Sequence, residues 1–246
     1  MILLIIVVIF CYVVWHALEI ASFGSRVAGR LTNRTALGTT LSQTIHTLSR
    51  FLLIFLLPTL GYIVESGITI HDYLTLVLIA YSLTFIMSII MLIKLNGLQH
   101  FYQVVFVKYT ENTIPIAILK SLVSKKTDLN TKDCDSFTFD KIIIKKSLVS
   151  LIAYLFLITG FFNAFMLAVM FPENRLTLSQ FTAAFHGLGG VILSFYLDPM
   201  LSRSIDTYSD DATWLKNVYS ILFGRVLSYL TMIILLSVFL YYLKFL

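Results

Sequence analysis

Six apolar runs, each long enough to cross a bilayer, constrain this chain more than anything else in it. They cover roughly residues 1–22, 38–64, 73–95, 147–171, 177–201 and 218–244. About 20 residues of helix span the hydrocarbon core. Within that core only a helix or a closed barrel satisfies its own backbone. The runs are continuous rather than alternating, which selects helices. Charged residues make up only 13% of the chain, against about a quarter in soluble domains. The expected fold is an all-α integral membrane bundle of about six transmembrane helices, with residues 1–246 as one polytopic domain.

Tight connections join the second run to the third and the fourth to the fifth, where Pro172 ends a helix. The connection over 96–146 is long and basic. Within it, 98–123 reads as an amphipathic helix whose apolar face is Leu98, Phe101, Val105, Val107 and Tyr109, with Pro115 breaking the run. It lies on the membrane surface or packs as a cytoplasmic helix. Residues 124–140 read as a flexible polar loop. Fourteen of the 18 basic residues fall on one side of the bundle, two on the other, and Arg50 and Arg225 within spans. That bias places the first, third and fifth connections in the cytoplasm and both termini outside. The first run lacks a basic lead and a cleavage site, so it is expected to remain as a span. The net charge of +5 belongs to this topology and implies no nucleic acid partner.

The second and fifth spans open alike, Thr40-Leu41-Ser42-Gln43 and Thr177-Leu178-Ser179-Gln180. Each continues to a histidine (His46, His186) and a proline (Pro58, Pro199). Halves of three spans would make a three-plus-three inverted repeat, a common transporter plan. A chance match in a chain rich in Leu, Ser and Thr is the other reading.

Ionisable groups inside spans are costly and usually face a cavity or one another. His16, Glu19, Arg26 and Arg30 share one face of the first helix, and Ser42, Gln43, His46, Ser49 and Arg50 one face of the second. Arginine offers a planar fork of donors matched to phosphate oxygens. Arg26, Arg30, Arg50 and Arg225, with His46 and Glu19, are therefore the candidate substrate-binding set. Glu19 either tunes an arginine or exchanges a proton. Arg34 reads as a topological anchor. Gly187, Gly189 and Gly190, upstream of Asp198-Pro199, mark close helix packing or a hinge.

Asp206 and Asp210-Asp211 resemble half of a Mg²⁺–diphosphate motif. Their only counterparts, Asp128, Asp133 and Asp135, are irregularly spaced, so a solvated loop or helix cap is the better reading. No phosphate-binding loop, zinc-protease helix or serine-hydrolase elbow occurs. No cofactor is expected, and no metal site. Cys11 and Cys134 form no framework.

The run His16-Ala-Leu-Glu19-Ile-Ala-Ser22-Phe-Gly-Ser-Arg26-Val-Ala28-Gly29-Arg30-Leu-Thr32, followed by Ser42, Ser49-Arg50 and Pro58, resembles the signature of the Amj family of bacterial lipid II flippases. Glu19 stands where that pattern has aspartate, and the charge is kept. The resemblance covers about a quarter of the chain, with Arg26 and Arg50 as its matched arginines. It implies translocation of lipid II, a polyprenyl-diphosphate-linked peptidoglycan precursor, from the inner to the outer leaflet of a bacterial plasma membrane. The partners would be that lipid and the surrounding bilayer, and the protein would be no enzyme. Two other classes stand beside it: a membrane enzyme acting on polyprenyl or lipid diphosphates, and a solute-binding subunit of a multi-component importer.

Overall fold

The computed structural model describes residues 1–123 and 137–244. Six of its helical stretches are long and apolar enough to cross a membrane: Ile2–Leu31, Thr35–Glu65, Ile70–Ile93, Ile144–Met170, Pro172–Thr207 and Asp211–Leu243. No strand occurs among the described residues. The six runs read from the sequence are these six stretches, each extended at its polar end. The three-plus-three repeat has no support beyond the sequence match.

Helix α1 (Ile2–Leu31) outruns its apolar stretch by three turns, so Arg26 and Arg30 lie within the helix. It ends in a tight turn at Asn33, in left-handed backbone (φ 55), a conformation asparagine tolerates better than most residues. Helix α2 (Thr35–Ser49) returns against α1. A side chain on Gly38 would lie 2.5 Å from the Ser25 carbonyl oxygen and 2.9 Å from the Gly29 Cα. The two backbones approach that closely because neither glycine carries a Cβ. The Ser25 hydroxyl donates to the Gly38 carbonyl at 2.9 Å and ties the crossing.

The second span continues through one 3-10 turn, Arg50–Leu52, into α3 (Leu53–Glu65), which contains Pro58. Proline lacks the N–H that would bond the carbonyl four residues back, which loosens the helix there. Helix α4 (Ile70–Ile93) is capped by Thr69, whose hydroxyl accepts from the Asp72 amide.

Helices α5 (Leu95–Tyr109) and α6 (Ile114–Val123) pack as a hairpin against the polar end of α1. The buried face of α5 is Leu95, Gln99, Tyr102, Gln103, Val105 and Phe106, while Val107 and Tyr109 are exposed. Of the five apolar residues read from the sequence, Val105 is buried and Phe101 packs on the core, while Val107 and Tyr109 do not. Tyr102, Val105 and Phe106 close a small core with Ala28, Leu41 and Ala117, so the segment packs on the bundle. Of the expected loop at 124–140, residues 124–136 lie outside the described residues, and Phe139–Lys141 form a short helical turn.

Helix α7 (Ile144–Met170) and the long α10 (Asp211–Leu243) pack closely. A Cβ on Gly224 would meet the Ser147 carbonyl. The hydroxyls of Ser147, Ser150 and Ser228 donate to the carbonyls of Ser220, Ile221 and Leu151. The fifth span is α8 (Arg175–Ile192), a π-helical segment Leu193–Leu197, and α9 (Asp198–Thr207). Gly189 seats α8 on α7, since a Cβ there would lie 2.6 Å from Leu157. Gly187 and Gly190 face open space. Gly189 thus packs, and the helix is π-helical immediately downstream of the cluster. The outer face of α8 and the π-helical segment is left bare, with Leu176, Phe181, Leu188, Val191 and Phe195 exposed.

Candidate functional site

α2 packs on α1. Between this pair, the lower part of the fifth span, α7 and α10 lies a cavity of about 300 Å³. Its walls carry Glu19, Ser22 and Arg26 from α1, Ser42, Gln43, His46, Thr47 and Arg50 from the second span, and Asp198 from α9. Arg225 and Tyr154 form its floor from α10 and α7. Five of the six candidate residues meet here: Glu19, Arg26, His46, Arg50 and Arg225.

The sixth, Arg30, lies elsewhere. Its Nε donates to Asp211 at 3.0 Å, and its other nitrogens donate to the carbonyls of Ile205, Tyr208 and Ser209. One arginine thereby fastens the whole α9–α10 connection to α1. Asp210 also has a structural task. It caps α10, accepting from the amides of Ala212 and Thr213 and from the Thr213 hydroxyl. Those bonds stabilise its charged form and hold its carboxyl below the ordinary aspartate value. Among the described residues, no three His, Cys, Asp or Glu side chains gather as a metal would need.

Glu19 is the hub of the floor. Arg225, 1% exposed, donates to Glu19 Oε2 at 2.6 Å. His46 Nδ1 lies 3.2 Å from Oε1, and His16 Nδ1 lies 3.5 Å from Oε2. The guanidinium of Arg225 also stacks over the Tyr154 ring at 4.5 Å. Hydrogen-bond logic fixes the two histidines differently. Arg50 Nη2 stands 3.2 Å from His46 Nε2. An arginine can only donate, so Nε2 accepts and Nδ1–H points at Glu19. At His16 the nearest donor is Arg225 Nη2, 2.9 Å from Nδ1, which leaves the hydrogen on Nε2.

A second chain of bonds lines the wall. Arg26 Nε donates to the Ser42 hydroxyl at 3.2 Å, Ser42 donates to Ser22 at 3.2 Å, and Ser22 donates to the Glu19 carbonyl at 2.7 Å. Arg26 Nη1 pairs with Asp198 at 3.0 Å. The expected cationic cavity is therefore largely compensated: three arginines face two carboxylates, a surplus of one positive charge. Among the described residues Arg50 has no carboxylate partner, and it is exposed at the cavity mouth.

The roles of Asp198 and Tyr154 were not visible in the sequence. Asp198 had a signal, an acid well inside an apolar run. Its partner is 172 residues away, and no local spacing reveals such a pairing. Tyr154 gave no signal among the 13 tyrosines of the chain.

The chain matches no protein-family model, no curated protein and no solved structure.

Proposed function

We propose that this protein is a flippase of the Amj type, moving a polyprenyl-diphosphate-linked cell-wall precursor such as lipid II from the inner to the outer leaflet. One observation carries the reading: Gln43, Thr47 and Arg50, which line the polar cavity, are exposed residues of the second span. The cavity is therefore inferred to open sideways, at membrane depth. Arg50 lies about 22 Å along that span from Thr35 at 1.5 Å per residue, well inside a core about 30 Å thick. A mouth in the side of the bundle suits an amphiphile whose headgroup leaves the bilayer while its tail stays there. A water-soluble solute would need a mouth at the end of the bundle.

The charge pattern supports an anion. Moving a diphosphate through hydrocarbon strips its hydration, and the arginine forks and serine hydroxyls of the wall replace those bonds. The cavity, about 300 Å³, is at the small end of the range for ligand pockets. It accommodates a diphosphate and an adjoining sugar. The remaining headgroup then stays at the mouth, or the wall yields. The fifth span supplies Leu193 and Asp198 to that wall and is π-helical there, and it is the wall proposed to yield. The basic side is proposed to be cytoplasmic, on the positive-inside bias. An inside-negative potential then favours outward movement of the anion by about 2.3 kcal/mol per charge per 100 mV.

The test is translocation of a fluorescent polyprenyl-diphosphate lipid in metal-free liposomes. The parent protein should move it between leaflets without altering it. Arg50→Gln should slow transport at least tenfold with folding intact, and Arg50→Lys, which keeps the charge but loses the fork, should be intermediate. Parent-like transport by Arg50→Gln overturns the anion-handling role, and chemical conversion of the lipid overturns the transporter reading.

A further inference from the structure

A second cavity, of about 410 Å³, shares no residue with the first. Its origin is geometric. α8 sits against α7 at Gly189 and Gly160. The π-helical segment then turns the chain, and α9 packs on α10 through Leu201. A wedge remains between α9 and the first turn of α7. It is lined by Lys146, Tyr196, Met200, Arg203, Ser204 and Thr207, with Pro199 and Tyr208 completing the wall.

The chemistry of the wedge is one-sided. It holds two cations and no carboxylate. Lys146 is half-buried and held in place by the Asn217 side-chain oxygen. Arg203 is exposed and makes no ion pair among the described residues. The hydroxyls of Ser204 and Thr207 donate to the Leu201 and Arg203 carbonyls, which leaves their oxygens free to accept. Lys146 stands in the first turn of α7, and Arg203 in the second half of α9. Both therefore lie at the basic edge of the bundle, where lipid phosphates sit. Tyr196 and Tyr208 suit that interfacial depth. Below the wedge, toward the middle of the span, Val191 at the end of α8 and Phe195 in the π-helical segment are exposed, Phe195 by 80%.

We propose that this wedge binds the phosphate of an anionic membrane phospholipid, with its acyl chains along the bare face of α8. The two cations pair with the phosphodiester. A zwitterionic lipid would bring an ammonium group to a wall with no acid to receive it, so the site selects net negative headgroups. Basic pockets between helices at a cytoplasmic edge are the usual form of such recognition.

The experiment uses the full-length protein in detergent and reads its thermal midpoint. Phosphatidylglycerol, phosphatidylcholine and inorganic phosphate are titrated separately. Phosphatidylglycerol should stabilise the parent in a saturable way, and the other two should not. Arg203→Gln should weaken the apparent affinity about fivefold, and Lys146→Gln with Arg203→Gln by more, at roughly one such factor per basic group. Lys145→Gln, exposed and outside the wedge, should change nothing. Among the described residues Arg203 has no ion-pair partner to lose, so its variant stays informative if the double variant unfolds. Equal stabilisation by phosphatidylcholine, or an unchanged response in Arg203→Gln, overturns the proposal. Stabilisation by inorganic phosphate with none from the lipid overturns the lipid as its source. No readout depends on transport, so this proposal and the flippase reading fail independently.

Discussion

The Glu19–Arg225 pair makes a quantitative prediction. Arg225 is 1% exposed, the Glu19 side chain 7%, and their atoms are 2.6 Å apart. Neutralising one partner of such a pair strands the other charge, at a cost of about 3–5 kcal/mol. Neutralising both removes two desolvated charges together and is often close to neutral. The two single variants should differ. In Arg225→Gln the stranded carboxylate still faces His46 and His16, either of which can take up a proton to compensate it. In Glu19→Gln the stranded guanidinium is left with neutral neighbours, the His16 acceptor, the Tyr229 hydroxyl and the Tyr154 ring. The expected order of damage is therefore Glu19→Gln first, Arg225→Gln second and the double variant least. At about 2–4 °C per kcal/mol for a chain near this size, the worse single variant should lose roughly 6–20 °C in thermal midpoint. The double variant should recover most of that loss, and its cavity keeps the parent net charge, so transport should persist. The assay is thermal unfolding of the purified protein in one detergent, run as a double-mutant cycle. Additive losses would refute the reasoning, because they would show that the two charges do not compensate one another. So would a parent-like midpoint for Glu19→Gln.

Gly38→Ala should lower the thermal midpoint, because its Cβ meets backbone atoms of Ser25 and Gly29 and overpacking of this kind typically costs about 1–3 kcal/mol; Gly190→Ala, facing open space, should not. Asp210 gives a pH dependence. Its carboxyl is held below the ordinary value by its cap bonds, so its contribution is complete above about pH 4 and is lost as the pH falls through its depressed value. Faster amide exchange at Ala212 and Thr213 below that pH, absent in Asp210→Ala, is the expected result.

The spans were legible because hydrocarbon imposes one rule on every residue: continuous apolar character over about 20 positions. Convergence of Glu19, His46, Arg50 and Arg225 on one cavity was legible for the same reason, since a polar group within a span must face something other than lipid. Arg30 misled because it shares a helix face with Arg26, and nothing in that spacing shows that Asp211 and three backbone carbonyls of the α9–α10 connection take its donors. The compensation of Arg26 by Asp198 was invisible because long-range pairing leaves no trace in spacing. The face of α5 was partly misplaced because its buried side carries Gln99 and Gln103. Polar residues packed against other helices break the apolar periodicity from which the face was read.

On the proposed function, the three cavity arginines form a graded series. Arg50 at the mouth has only a histidine neighbour. Arg26, further in, is paired with an Asp198 side chain still 38% exposed. Arg225 at the floor is sealed with Glu19. Partly exposed pairs are worth about 0–1 kcal/mol, so an arriving diphosphate can take Arg50 outright and replace Asp198 on Arg26 at little cost. Breaking the buried pair costs several times more, which a diphosphate bonded to two other arginines has no need to meet. The magnitudes therefore divide a set that looked uniform in the sequence. On the proposed function Arg50 and Arg26 would exchange partners with the substrate, and Arg225 would supply a fixed, compensated floor. Replacing Asp198 on Arg26 has a structural effect as well. That ion pair ties α1 to α9, and so holds the fifth span against the rest of the cavity wall. On the proposed function, binding the anion would release that tie while Arg30 and Leu201 still hold the far end of α9 to α1 and α10. A headgroup too large for 300 Å³ would then gain room near the contact that recognises its phosphate.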